Sequence, residues 1–79
     1  MTPAETLSEV NTIFVRVLRQ NDLVLTPETS ADQVDGWDSL NHAVLLSEVQ
    51  KHFKIRFAVS EVLGLKNVGQ LVELVQQKL

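Results

Sequence analysis

Apolar residues recur at helical spacing in three separate stretches of this 79-residue chain, and nowhere do they alternate with period two for long enough to make a convincing strand. That pattern predicts an all-α fold. The first stretch opens on Thr2-Pro3-Ala4-Glu5, a capping box in which a hydroxyl and a carboxylate each satisfy an orphan helix N–H, with proline where a missing N–H costs nothing. Leu7, Val10, Ile13, Phe14 and Val17 or Leu18 then continue an amphipathic helix to about Arg19. The second runs from Ser39 to about Phe53 without glycine or proline, with Asp38 as its N-cap and Leu45, Leu46, Val49 and Phe53 on one side. The third follows Asn67 and Gln70, which repeat the cap-plus-three spacing, and carries Val68, Leu71, Val72, Val75 and Leu79. Between the last two, Ser60 to Leu63 is long enough only for a short helix, with Ser60 as its candidate cap and Gly64 as its stop. Lys54 to Val59 is apolar enough to be ambiguous between strand and coil.

The expected architecture is a small four-helix bundle, three long helices and a short third one, forming one domain over residues 1–79. Its core is expected between Phe14, Leu45, Leu46, Val49, Phe53, Val62, Leu71 and Val75. The connection from Asn21 to Gly36 is long for so small a domain, and connections longer than about 12 residues in compact domains tend to be functional. Leu23, Leu25 and Val34 anchor it, and it delivers the chain to Asp35-Gly36-Trp37-Asp38-Ser39-Leu40.

Composition narrows the function further. Zero cysteines exclude a disulfide framework and a thiolate zinc site, so any thiol chemistry needs a borrowed thiol. Seven Lys and Arg against ten Asp and Glu, a net charge of −3, argue against a domain built to hold nucleic-acid phosphates. No apolar run approaches the roughly 20 residues of a membrane span. The first residues lack a basic segment followed by an apolar one, so the expected location is the cytoplasm.

Ser39 stands in the first turn of the second helix, where unpaired N–H groups and the positive end of the helix dipole tolerate a phosphate ester. No base is placed beside it, with His42 one turn down the helix, so Ser39 reads as an acceptor rather than a nucleophilic catalyst. The plainer alternative is an ordinary first-turn serine next to its cap. His42 and His52 have no third metal ligand and read as surface histidines, His52 pairing at i+4 with Glu48. Trp37 suits stacking on a ligand or partner, but the favoured reading is a ring packed over the end of the bundle that pins the loop. Lys51, Lys54 and Arg56 suit either an anion such as a coenzyme phosphate or a solvated helix end. Leu40 and Val44 project to a different side from the core stripe, next to Ser47 and Lys51, and two apolar faces suggest two partners.

With these residues in place, the sequence resembles the acyl carrier protein family over nearly its whole length. The likeness lies in the capped first helix, the long loop, Gly36-Trp37-Asp38-Ser39-Leu40 with its Asp-Ser-Leu motif, the Phe53 that closes the second helix, the short third helix and the Asn67-Val68 start of the last. A non-catalytic carrier is expected, since no acid, base and nucleophile set converges in the sequence and no metal-ligand set stands out. Ser39, flanked by Asp38 and Leu40, is implied as the attachment point of 4′-phosphopantetheine, transferred from coenzyme A by a separate phosphopantetheinyl transferase. The arm supplies the missing thiol, and acyl groups ride on it as thioesters to acyl-loading and acyl-processing enzymes. The carrier is expected to be a monomer, and Leu40, Asn41, Val44, Ser47, Glu48 and Lys51 form the expected docking surface.

One departure bears on specificity. Many family members carry a strongly acidic second helix that basic patches on their enzymes read. Here residues 39–56 hold Glu48 against Lys51, Lys54 and Arg56, 1 against 3 or +2, which leaves −5 for the rest. Asn41, Val44 and Lys51 stand where acidic residues are expected. A carrier for a specialised lipid or polyketide-type pathway is therefore expected. The rival readings are an aminoacyl or peptidyl carrier and a small helical adaptor with no prosthetic group.

Overall fold

The computed structural model describes all 79 residues. Four α-helices follow one another: α1 Pro3–Leu18, α2 Ser39–Phe53, α3 Val59–Leu63 and α4 Val68–Lys78, with one 3₁₀ turn, Ala31–Gln33, in the long connection. The fold class is the expected one, and Lys54–Phe57 is irregular rather than a strand. α1 packs against both α2 and α4.

The helix starts follow the local chemistry. Thr2 Oγ1 accepts the Glu5 N–H at 3.1 Å while Glu5 Oε1 accepts the Thr2 N–H at 2.7 Å, completing the capping box. Asp38 accepts the Asn41 N–H and Asn67 accepts the Gln70 N–H, each at 2.8 Å, to open α2 and α4. The third helix differs from expectation. Its N-cap is Ala58, and Glu61 reaches back to accept the Ala58 N–H at 2.7 Å, so the helix starts at Val59 and Ser60 lies inside it, exposed, not at its cap.

The core joins Val10, Ile13 and Phe14 of α1, Leu45, Leu46 and Val49 of α2, and Val68, Leu71, Val72 and Val75 of α4. Leu25 and Val34 complete it from the loop. Phe53 and Val62 sit only partly buried at its rim, because α3 is one short turn that presents no fully buried residue. Buried Thr6 is satisfied by the Gln76 side-chain amide, which donates to its hydroxyl at 2.8 Å.

The long loop is fixed in place, not merely anchored by its three apolar residues. Asn11 on α1 holds it from both directions: its Nδ2 donates to Leu23 O at 3.1 Å, and its Oδ1 accepts the Leu25 N–H at 2.6 Å. Farther along, the first N–H groups of α4, Val68 and Gly69, donate to Thr29 O and Pro27 O at 2.8 and 2.9 Å. Orphan donors of one helix start are thus used to hold the loop that leads to another. Polar contacts join the helices at the surface: ion pairs of Arg16 with Glu48 at 3.0 Å and Lys78 with Glu61 at 2.9 Å, and a hydrogen bond between His52 Nε2 and Glu9 Oε1 at 2.5 Å. His52 therefore reaches α1 rather than Glu48, which is occupied by Arg16 and Lys51.

Candidate functional site

The chain enters α2 through a tight passage set by Gly36, whose φ of +83° is a conformation that side-chain-bearing residues rarely adopt. Gln20 Nε2 donates to Asp35 O at 2.5 Å and Asn41 Nδ2 donates to Gly36 O at 2.7 Å, so two successive carbonyls of the turn are held, one from just past the end of α1 and one from α2. Trp37 then turns its ring inward, edge-on to Phe14 with centroids 5.0 Å apart, and its indole N–H donates to His42 Nδ1 at 2.9 Å. It pins the loop as expected. The means is a hydrogen bond to the first turn of α2 as well as packing.

Ser39 is the first residue of α2 and is exposed. Asp38 directs its carboxylate to the Asn41 N–H, and the Asp38 carbonyl accepts the His42 N–H at 2.7 Å. The N–H groups of Ser39 and Leu40 have no acceptor in the protein. Beside Ser39 lies a groove of about 490 Å³, lined by Ala31, Trp37, Asp38, Ser39, His42, Leu63 and Leu65. An exposed hydroxyl, two free amides at a helix start and an open, mostly apolar groove fit a phosphodiester-linked arm. The acidic neighbour does not contradict this, because the Asp38 carboxylate is committed to the third amide of the turn.

His42 lines the same groove but offers Ser39 no base. Its Nδ1 lone pair accepts from Trp37, which puts the ring proton of the neutral imidazole on Nε2. Sequence alone placed His42 one turn from Ser39; the partnership with Trp37, five residues earlier, follows from the loop's return to the helix and has no sequence signal. Ala31, Leu63 and Leu65 are further groove residues that reading by motif passes over, since they come from other elements.

The expected docking residues divide into two groups. Leu40 is 76% exposed and Val44 42% exposed, and Ser47 and Lys51 continue the same stripe in the open. Asn41 and Glu48 are both partly withdrawn. Asn41 is turned back onto Gly36 O, and Glu48 is paired with Arg16 and, at 3.6 Å, with Lys51. Lys51, Lys54 and Arg56 meet around a second groove of about 370 Å³ with Ser47, Gln50 and Ile55. No group of metal-ligating side chains forms anywhere in the fold, and no helix is long and apolar enough to cross a membrane.

Comparison with known proteins places this geometry. The family described as phosphopantetheine attachment site matches residues 8–75. The chain is similar to the holo acyl carrier protein of Geobacter metallireducens, solved by solution NMR, at 46% identity over 92% of this chain and 84% of that one, with a TM-score of 0.87. No curated protein matches the chain significantly. The family match takes in both the Gly36 turn and the whole of α2. The chain belongs to the acyl carrier protein family: it is a carrier rather than a catalyst, it bears a covalently attached phosphopantetheine, and like carriers in general it works with a phosphopantetheinyl transferase and acyl-processing enzymes.

Proposed function

We propose that Ser39 Oγ is the attachment point of the phosphopantetheine and that the protein presents acyl thioesters to enzymes of a specialised lipid or polyketide-type pathway in the cytoplasm. The observation that carries the site assignment is the exposed Ser39 at the start of α2, with its own N–H and that of Leu40 unpartnered and a groove alongside. When bound, the arm supplies the thiol on which an acyl group rides. The protein's own residues do the positioning. Asp38 and Asn41 fix the first turn, so that two preformed N–H donors and the helix dipole would be in place for the phosphate of the arm. Trp37 and His42 wall the groove without acting on the serine. Removing the Ser39 proton is thus left to the transferase. The specialised pathway rests on the charge of residues 39–56, +2 from three cations against Glu48, which does not suit enzymes built to read an acidic helix.

Intact mass after treatment with coenzyme A and a broad-specificity phosphopantetheinyl transferase tests the assignment. One phosphopantetheine is expected, with fragmentation placing it on Ser39, and Ser39→Ala should abolish it while keeping the helical circular dichroism. Addition that persists in Ser39→Ala, or that maps to Ser47 or Ser60, overturns it.

A further inference from the structure

Leu40, Val44, Ser47 and Lys51 recur at four- and three-residue steps and form one exposed stripe along α2. It begins beside Ser39 and ends at the groove lined by Lys51, Lys54 and Arg56. On α3, Val59 and Leu63 are two more large apolar residues in solvent, 72% and 79% exposed, and Leu63 lines the groove beside Ser39. The neighbouring carboxylates oppose only Lys51 of the three cations. Glu48 is drawn to Arg16 on α1 and to Lys51, Glu61 is paired with Lys78 on α4, and neither Lys54 nor Arg56 has a carboxylate partner. The surface is therefore apolar near Ser39 and positive at its far end, about 18 Å away along the helix at about 1.5 Å per residue.

Resting on the assignment of the arm to Ser39, we propose that this stripe docks an acyl-processing enzyme whose active-site entrance is apolar and carries a cluster of Asp and Glu side chains about 18 Å from the point where the arm enters. Such an enzyme seats Leu40 and Val44 at its entrance and sets its carboxylates against Lys51, Lys54 and Arg56. Charge complementarity selects this partner over one with a basic face, because like charges brought together across an interface are repelled and desolvated. An anionic lipid surface shares the positive end of the chemistry. The enzyme is favoured because the apolar end of the stripe adjoins Ser39, where an arm must enter a protein.

The test uses the holo carrier and two forms of one ketoacyl synthase: a form with Lys and Arg around its entrance, and a variant with those residues changed to Glu. Turnover of a free pantetheine thioester checks that both forms are intact. The carrier is expected to bind the acidic-faced form with a Kd at least about ten-fold lower, the gap closing as salt rises from about 0.05 to about 0.5 M. Lys51→Glu/Arg56→Glu should reverse the preference. Lys51→Gln/Arg56→Gln should erase it, and is the milder variant should the first fold poorly; Lys54 is left in place because it takes a left-handed conformation at φ 58°. Equal affinity for the two forms, a preference for the basic one, or a Lys51- and Arg56-dependent binding to phosphatidylglycerol vesicles without discrimination between the enzymes overturns the proposal. The unloaded chain is measured in parallel, so that a failure of Ser39 loading, read by mass, is distinct from a failure of the surface.

Discussion

Trp37 Nε1 donates to His42 Nδ1 at 2.9 Å while the two rings lie within 22° of parallel, their centroids 6.0 Å apart. The same indole stands at 88° to the ring of Phe14 in the core, in a T-shaped contact. The residue two before Ser39 is thereby bound both to the centre of the bundle and to the first turn of α2. The position of the Ser39 hydroxyl is thus coupled to core packing rather than to the loop alone.

Removing the imidazole acceptor should cost little stability but loosen this coupling. His42→Ala is expected to lose about 1 kcal/mol, as for one hydrogen bond partly exposed to water. Trp37→Ala is expected to lose about 2 to 3 kcal/mol, below the full cost of a buried aromatic because the ring is only partly buried. Denaturant unfolding measures both. In the native protein, ring ¹⁵N shifts of His42 should show the Nε2–H tautomer; a protonated Nδ1 at neutral pH contradicts the hydrogen bond.

Two glycines should fail for different reasons. A Cβ on Gly36 meets nothing nearer than Leu18 Cδ2 at 3.6 Å, so Gly36→Ala is charged only for its φ of +83°, about 1 to 2 kcal/mol. A Cβ on Gly69 comes within 2.8 Å of Pro27 O, the carbonyl that accepts the Gly69 N–H at 2.9 Å, so Gly69→Ala must push the loop off α4 and cost about 2 to 3 kcal/mol. Gly69→Ala should melt lower. Gly36→Ala should show the greater slowing of phosphopantetheine transfer per folded molecule, because its strain lies three residues from Ser39.

Acid should weaken α3 and the start of α1. Glu61 is held below the ordinary carboxylate value of 4.5, first by accepting the Ala58 N–H and then by Lys78. Glu5 is lowered in the same direction by Thr2, through its backbone N–H and its hydroxyl. A group whose pKa is depressed on folding contributes its full stability above the unfolded value and loses it as pH falls through the folded one. The melting temperature should therefore fall as pH drops below about 4.5, and Ala58 and Thr2 amide shifts should titrate with it. Glu5→Gln/Glu61→Gln should flatten that part of the curve; an unchanged slope assigns the acid sensitivity to other carboxylates.

The long helices and the exposed place of Ser39 at the start of α2 were legible because their signals are local. A cap at Thr2, Asp38 or Asn67 acts within one turn, and the stripe Leu45, Leu46, Val49 tells which side is buried without knowing against what. The start of α3 was missed because Ser60 offers a stronger cap by residue type than Ala58, while the bond that decides comes from Glu61. The roles of Asn11, His42 and His52 were illegible for another reason. Each depends on which helix or loop arrives opposite, and spacing along the chain carries no information on that.

The weakest part of the bundle lies next to the groove, and an acyl chain on Ser39 should use it. α3 buries no residue, leaves Val59 and Leu63 in solvent, and is held by the rim contacts of Val62 and by the Glu61–Lys78 pair. Elements with so few buried contacts open at low free-energy cost. Each methylene taken from water is worth about 0.8 kcal/mol, so a medium-length chain can offset the displacement of a single short turn. Because a tethered chain buried in the fold is bound only in the folded state, its burial raises the melting temperature. Acyl forms of medium length should melt above the holo form and shift amide resonances from Val59 to Leu65, with Glu61→Gln enlarging those shifts by loosening α3. Equal melting temperatures, with spectral changes confined to the neighbours of Ser39, would mean that the chain stays in solvent and that α3 serves the surface alone.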